Sequence, residues 1–169
     1  TALGYFAKLG LYKEDVINKN FSTLTPKLLL RYAPGHMRKI EGGRLNYGNL
    51  YNINKINELD VVESGLSTSI GFEYKKSNLN KNNIIGDEKL SISAGQVISA
   101  EENMDIPSST SLEQHFSDVV GEVKYNINSN INLKYNFAID QSYKEINYNE
   151  IGTNFNFAKA KFDVSYLQE

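Results

Sequence analysis

The chain has 169 residues, of which 40% are hydrophobic and 22% charged, and its formal net charge is -2. Enough apolar side chain is present for a folded core or wall, and the near-neutral balance excludes the basic field by which a general nucleic-acid binder releases counterions. The absence of cysteine excludes disulfides, thiolate zinc sites and thiol catalysis within this stretch.

In chain order, Leu3 to Tyr12 reads as a strand, and so does Lys27 to Ala33, with Pro26 just before it and Pro34-Gly35 ending it. Clear period-two alternation then begins. Leu66, Thr68, Ile70, Phe72 and Tyr74 oppose Ser67, Ser69, Gly71, Glu73 and Lys75, and Leu90, Ile92, Ala94 and Ile98 oppose Ser91, Ser93 and Gly95. The pattern returns in Val119, Val123, Tyr125 and Ile127, and again from Ile131 to Ile139, from Ile151 to Phe157 and from Phe162 to Tyr166. No segment carries a 3.6-residue helical pattern, although Ser111 to Phe116 could make one helical turn. The longest aliphatic run, Leu28-Leu29-Leu30, is far short of the roughly 20 apolar residues of a membrane-crossing helix. No signal peptide is visible at Thr1, which leaves a cytoplasmic protein or an internal piece of a longer one.

The connections alternate in length. Pro34 to Gly65, Ser99 to Asp118 and Ser142 to Asn149 are each longer than the connection that follows, at Ser77 to Asp87, Ser129 and Ala158 to Lys161 respectively. Because successive hairpins fall at opposite ends of a meander, one end has long loops and the other short turns, which is the asymmetry of outer-membrane barrels. Several strands reach the length that crosses a bilayer at a tilt. The face opposite the apolar one is rich in Ser, Gly, Asn and charge, as suits a wet lumen, and Tyr74, Tyr125, Phe155 and Phe157 fall near the ends of the apolar faces, where aromatic girdles lie. The expected fold is an all-β antiparallel meander, part of a large transmembrane β-barrel, with residues 1–169 as a single segment incomplete at both ends. A soluble β-sandwich with its apolar face inward is the rival architecture.

Residues 49–65 narrow the reading further. Asn49-Leu50-Tyr51, then Asp60, Glu63-Ser64-Gly65 and the strand residues Gly71-Phe72-Glu73-Tyr74 resemble a segment of the LptD family of lipopolysaccharide-assembly outer-membrane proteins. Leu24-Thr25-Pro26-Lys27 with Leu30-Arg31-Tyr32-Ala33-Pro34 resembles the preceding strand of that family, and Tyr148-Asn149-Glu150-Ile151 with the last residues resembles later ones. The similarity runs from about Leu24 onward. Tyr51 stands where Phe is usual, Lys55 where Arg is common and Leu59 where Gly is frequent. The resemblance implies a barrel of about 26 strands in the bacterial outer membrane, holding an LptE-like lipoprotein plug and passing lipopolysaccharide sideways through a seam. It implies no enzymatic activity and no cofactor. Another outer-membrane barrel, such as a porin or substrate channel, and a soluble surface or adhesion module are the alternatives.

Within this frame, Arg31, His36, Arg38, Lys39 and Arg44 form a candidate lipopolysaccharide-contacting loop, since they gather all three arginines of the chain and the guanidinium fork suits phosphate. Asn49, Leu50, Asp60, Glu63 and Gly65 carry the family resemblance and are expected to fold the long loop back over the barrel mouth. Glu73, Lys75, Glu122, Lys124, Lys134 and Asp140 are expected either to pair across strands inside the lumen or to touch the plug. His115-Phe116-Ser117-Asp118 places Ser, His and Asp side by side, which by itself is no catalytic arrangement. Asp60 with Glu63, or Glu101 and Glu102 with Asp105, lack the spacing of a metal loop.

Overall fold

The computed structural model describes residues 1–56, 61–157 and 160–168. Among the described residues nine strands form one antiparallel sheet: β1 (Leu3–Lys8), β2 (Leu11–Asp15), β3 (Asn20–Ala33), β4 (Gly65–Leu79), β5 (Ile85–Ser99), β6 (Val119–Asn128), β7 (Ile131–Ile139), β8 (Ile146–Phe157) and β9 (Ala160–Gln168). From β3 onward every strand pairs with its neighbour in sequence, while β1 and β2 both pair with β3. The described sheet is open, with β1 and β9 at its edges, as a segment of a barrel wall is. β3, β4 and β5 run 14, 15 and 15 residues, well beyond the five or six usual in globular sheets (about 17–20 Å).

Lys8 faces Lys27 and Leu11 faces Leu24, so β1 and β2 follow one register and are a single line of chain interrupted at Leu9 and Gly10. The interruption lies opposite Pro26. Leu9 N–H donates to the Pro26 carbonyl at 3.1 Å, and the proline has no N–H to return. Pro26 therefore sits inside β3 rather than ahead of it, a correction to the sequence reading, and the cost is one missing ladder bond.

Further boundaries differ, and β8 starts at Ile146, inside the expected Ser142 to Asn149 connection. The β4–β5 connection is only 80–84, because both strands extend past the alternating residues through register shifts at Lys76, Ser77 and Leu79. The helical turn is a 3-10 turn at Ser108–Thr110, ahead of the expected stretch. The alternation in connection length holds. Connections 34–64, 100–118 and 140–145 lie at one end, with 16–19, 80–84 and 129–130 at the other.

The pairing register puts every apolar set of the sequence on the same side. Leu24 faces Tyr74, Tyr74 faces Ile92, Ile92 faces Val123, Val123 faces Tyr135, Tyr135 faces Ile151 and Ile151 faces Tyr166. Nothing in the described chain covers that side: Ile70 is 41% exposed, whereas Ser69 beside it is 0% exposed. A water-soluble sandwich buries its apolar face, and this sheet does the reverse.

The polar side is also drier than a wet lumen. Ser67, Ser69, Ser91 and Ser93 are buried. The hydrophobic core lies between the long connections and this inner face. Ile40, Leu45, Leu50, Ile56 and Val61 come from residues 34–64, and Ile106 and Leu112 from 100–118. Val97, Val120 and Ala138 come from the strands beneath. Small inner-face residues thus make room for a loop.

Candidate functional site

The long connection leaves β3 at Pro34, turns at Gly35 (φ +106°) and re-enters the sheet at Gly65 (φ +98°), left-handed positions that suit glycine. Between them the chain is knitted by its own side chains. Asn46 N–H donates to Asn49 Oδ1 at 2.8 Å, Asn49 N–H donates to Asn46 Oδ1 at 3.1 Å, and the Asn49 amide donates to the carbonyls of Arg44 and Lys55, each at 2.9 Å. This closes residues 44–55 into a compact unit that presents Leu50 and Tyr51 to the sheet.

The sheet receives them at two facing glycines. Gly71 pairs directly with Gly95. A Cβ on Gly71 would stand 2.6 Å from Tyr51 Oη, and one on Gly95 would stand 2.5 Å from Leu50 Cδ2. Leu50 is fully buried there, a burial that stabilises by about 1.5–3 kcal/mol. Tyr51 also meets Phe6 edge-on at 5.7 Å and Tyr47 at 5.9 Å, and Lys27 Nζ lies 5.5 Å and 5.7 Å from the two tyrosine ring centres. Burial pushes the phenols of Tyr47 and Tyr51 up, so both stay neutral.

A buried charge cluster fastens the far end of the loop. The Arg31 guanidinium donates from Nε to the Ile53 carbonyl at 2.5 Å and from Nη2 to the Glu63 carbonyl. Glu63 Oε1 accepts the Lys55 backbone N–H at 2.8 Å, and its Oε2 lies 3.6 Å from Lys55 Nζ and 4.0 Å from Arg31 Nη1. Two cations share one carboxylate away from water, and burial pushes the Lys55 amine below its usual range.

The remaining inner-face charges pair with one another. Glu73 binds Lys27 and, at 2.7 Å, Lys75, which reaches Glu88 at 3.4 Å. Glu122 bridges Lys124 at 2.7 Å and Lys134 at 2.9 Å, two lysines that face each other across β6 and β7. Asp140 lies outside this set and accepts from Ser142 in the β7–β8 connection.

Near the mouth, a cavity of about 540 Å³ opens between connections 34–64 and 100–118, lined by His36, Met37, Ser64, Glu101, Glu102 and Asp105 among others. Among the described residues no group of three or more His, Cys, Asp or Glu could hold a metal ion. His115 Nδ1 lies 3.1 Å from the Ser99 carbonyl, Ser117 Oγ bonds backbone on both sides, and Asp118 accepts from Asn147 at 3.0 Å. The three side chains face different partners.

A family model described as LptD, LPS transport system D, matches residues 5–169. The chain belongs to the LptD family. No curated protein matches it closely enough to add to this. The match begins near the start of β1 and so takes in β1 and β2, which the sequence resemblance left out. LptD proteins are outer-membrane proteins that bind and transport lipopolysaccharide with other components of the same system, and theirs is a transport and assembly family, not an enzyme family.

In this LptD-family chain the resemblance residues Asn49, Leu50, Glu63 and Gly65 all hold the inserted loop, as knot, plug, clamp and re-entry point, and Asp60 lies outside the described residues. The five cationic candidates are not brought together. Arg31 is buried in the clamp, and Arg44 lies partly buried over the Tyr148 ring at 4.4 Å. His36, Arg38 and Lys39 are exposed at the loop end of the sheet. Sequence reasoning gave no site role to Tyr47, Tyr51, Lys55 or the Gly71–Gly95 pair. An isolated glycine inside a strand signals close backbone approach, so the glycines were open to discovery. Nothing local marks Lys55 as buried.

Proposed function

We propose that this chain is one wall segment of a larger outer-membrane barrel that translocates lipopolysaccharide and inserts it into the outer leaflet without chemistry of its own. The observation that carries the reading is the two-faced sheet of an LptD-family chain: an uncovered apolar outer side backs an inner side lined with paired charges and filled by the 34–64 loop. Residues 1–169 act as a single segment of the barrel domain, and the open outer edges of β1 and β9 suit further wall strands. Short turns lie in the periplasm and long connections outside, following the general asymmetry of such barrels.

In this reading His36, Arg38 and Lys39 meet the phosphates and core sugars of lipopolysaccharide, while Arg31 and Arg44 act through the loop they hold. The inner face of β7 and β8, where Asn132, Lys134 and Asn136 line up and Lys134 is exposed, suits contact with an LptE-like lipoprotein plug.

The test is photocrosslinking in the full-length protein in cells, with the probe at His36, Lys39 or Asn136, or on the outer face at Val123. Lipopolysaccharide adducts are expected at the first three, lost when lipopolysaccharide synthesis is blocked, and a lipoprotein adduct is expected at Asn136. Phospholipid adducts at Val123 with no lipopolysaccharide adduct anywhere would favour an ordinary channel instead. Orientation is read separately. A cysteine replacing the exposed Met104 should react with an impermeant maleimide on whole cells, and one replacing Ser129 should not.

A further inference from the structure

We propose that the outer face of β2, β3 and β4, at the turn end of the sheet, binds the head group of an anionic phospholipid through Lys13, Lys76, Ser22 and the Tyr74 hydroxyl. This rests on the sheet being a membrane wall with its turns in the periplasm.

The register builds the site. Lys13 faces Ser22 on the neighbouring strand, and Ser22 faces Lys76 on the next, so the three side chains form one row on one face. Two strand spacings put the lysine backbones about 10 Å apart, within reach of one phosphate for two long flexible stems. Tyr74 Oη donates to Ser22 Oγ at 3.2 Å, which leaves the serine proton free to donate outward. These residues line a cavity of about 360 Å³ together with Leu11 and Leu24. Leu11, Leu24 and Tyr74 form the row immediately above, so a charged end and an apolar end adjoin in the order of a lipid entering a leaflet.

The lysines are also available. On the inner face Lys27, Lys75, Lys124 and Lys134 are each paired with Glu73 or Glu122. Among the described residues neither Lys13 nor Lys76 has a carboxylate within ion-pair distance. Asp15, one row lower on the same face, lines the same cavity and attracts Lys13 from beyond ion-pair distance, while its oxygens accept from the Asn18 backbone N–H at 3.0 Å and from its amide at 2.8 Å. Two ammonium groups outside any salt bridge, against the single Asp15 carboxylate, leave a net positive charge at the foot of an apolar wall that matches a phosphate carrying net negative charge. The turn end lies in the leaflet made of phospholipid, so phospholipid, and not lipopolysaccharide, is the ligand.

The experiment places an environment-sensitive fluorophore on a cysteine replacing Leu11 in the full-length protein. The protein is reconstituted in phosphatidylcholine vesicles containing acyl-brominated phosphatidylglycerol or, at equal mole fraction, acyl-brominated phosphatidylcholine. Stronger quenching by phosphatidylglycerol is expected, corresponding to a preference of about fivefold per lysine. Lys13→Gln with Lys76→Gln should abolish the preference, and Lys13→Arg with Lys76→Arg should retain it. Equal quenching by both lipids in the native protein overturns the head-group site and leaves the membrane wall standing. A preference that survives the double glutamine variant, or that inorganic phosphate alone removes, also overturns it. No quenching by either lipid overturns the wall reading itself and the site with it.

Discussion

Lys55 and Glu63 close the inserted loop on itself: the Lys55 backbone N–H donates to one carboxylate oxygen at 2.8 Å while its ammonium lies 3.6 Å from the other. Their side chains are 0% and 6% exposed. With Arg31 beside them, two buried cations share this one carboxylate among the described residues. Glu63→Gln keeps an oxygen for the Lys55 N–H and removes only the charge. It should destabilise the docked loop by about 3–5 kcal/mol, since uncompensated charge is left buried. Lys55→Met should cost far less, because the Arg31–Glu63 contact survives. Urea unfolding of the full-length protein, with proteolysis within 34–64 as a local readout, separates the two.

Leu50 on Gly95 gives a second expectation. Gly95→Ala puts a methyl against Leu50 Cδ2 and, at 2.6 Å, the Ile70 carbonyl oxygen, so overpacking should cost about 1–3 kcal/mol. Leu50→Ala relieves the first contact and not the second. The double variant should therefore be less destabilised than the sum of the singles, with a coupling of about 0.5–3 kcal/mol. Strict additivity in a double-mutant cycle would show that the loop does not seat there.

Arginine substitutions distinguish the three environments of the sheet. Ile70→Arg on the outer face should cost about 2–4 kcal/mol near the bilayer midplane. Asn132→Arg, on an inner face that the loop leaves uncovered, should assemble normally. Ser69→Arg would be harmless in a wet lumen, but Ser69 is fully buried, so it should expel the loop and expose 34–64 to protease. The fraction of heat-modifiable, assembled full-length protein reads all three.

Asp118, in the connection ahead of β6, gives the pH dependence. Burial pushes its carboxyl above the usual 3.8, Asp140 and Glu113 add to the push, and the Asn147 hydrogen bond and Arg44 oppose it. The folded state then binds the proton more tightly than the unfolded one. Stability from this group is fully present below the unfolded pKa and lost as pH rises through the raised folded value. Loop 100–118 should accordingly resist an acid-active protease best at the low end of that window. Asp118→Asn, which still offers an oxygen to Asn147, should flatten the profile; an unchanged profile would assign it to another group.

Alternation was legible in the sequence because successive Cβ atoms point to opposite sides of any strand, so Ile70, Phe72 and Tyr74 had to share a face whatever they packed against. The loop asymmetry was legible for the same local reason: it needs only strand boundaries. What the sequence by itself determined is therefore a two-faced meander with long connections at one end. Only the tertiary structure decided what lies on each face. Arg31 reads as a surface phosphate ligand beside His36 and Arg38, and it becomes a buried clamp because Ile53 and Glu63 return to it from beyond the turn. Gly71 and Gly95 read as polar-face residues and become a seat because antiparallel register sets them opposite one another under Leu50 and Tyr51. Each of these pairings joins residues distant in the chain, and such contacts are fixed by how the loop closes over the sheet, not by any local preference of its residues.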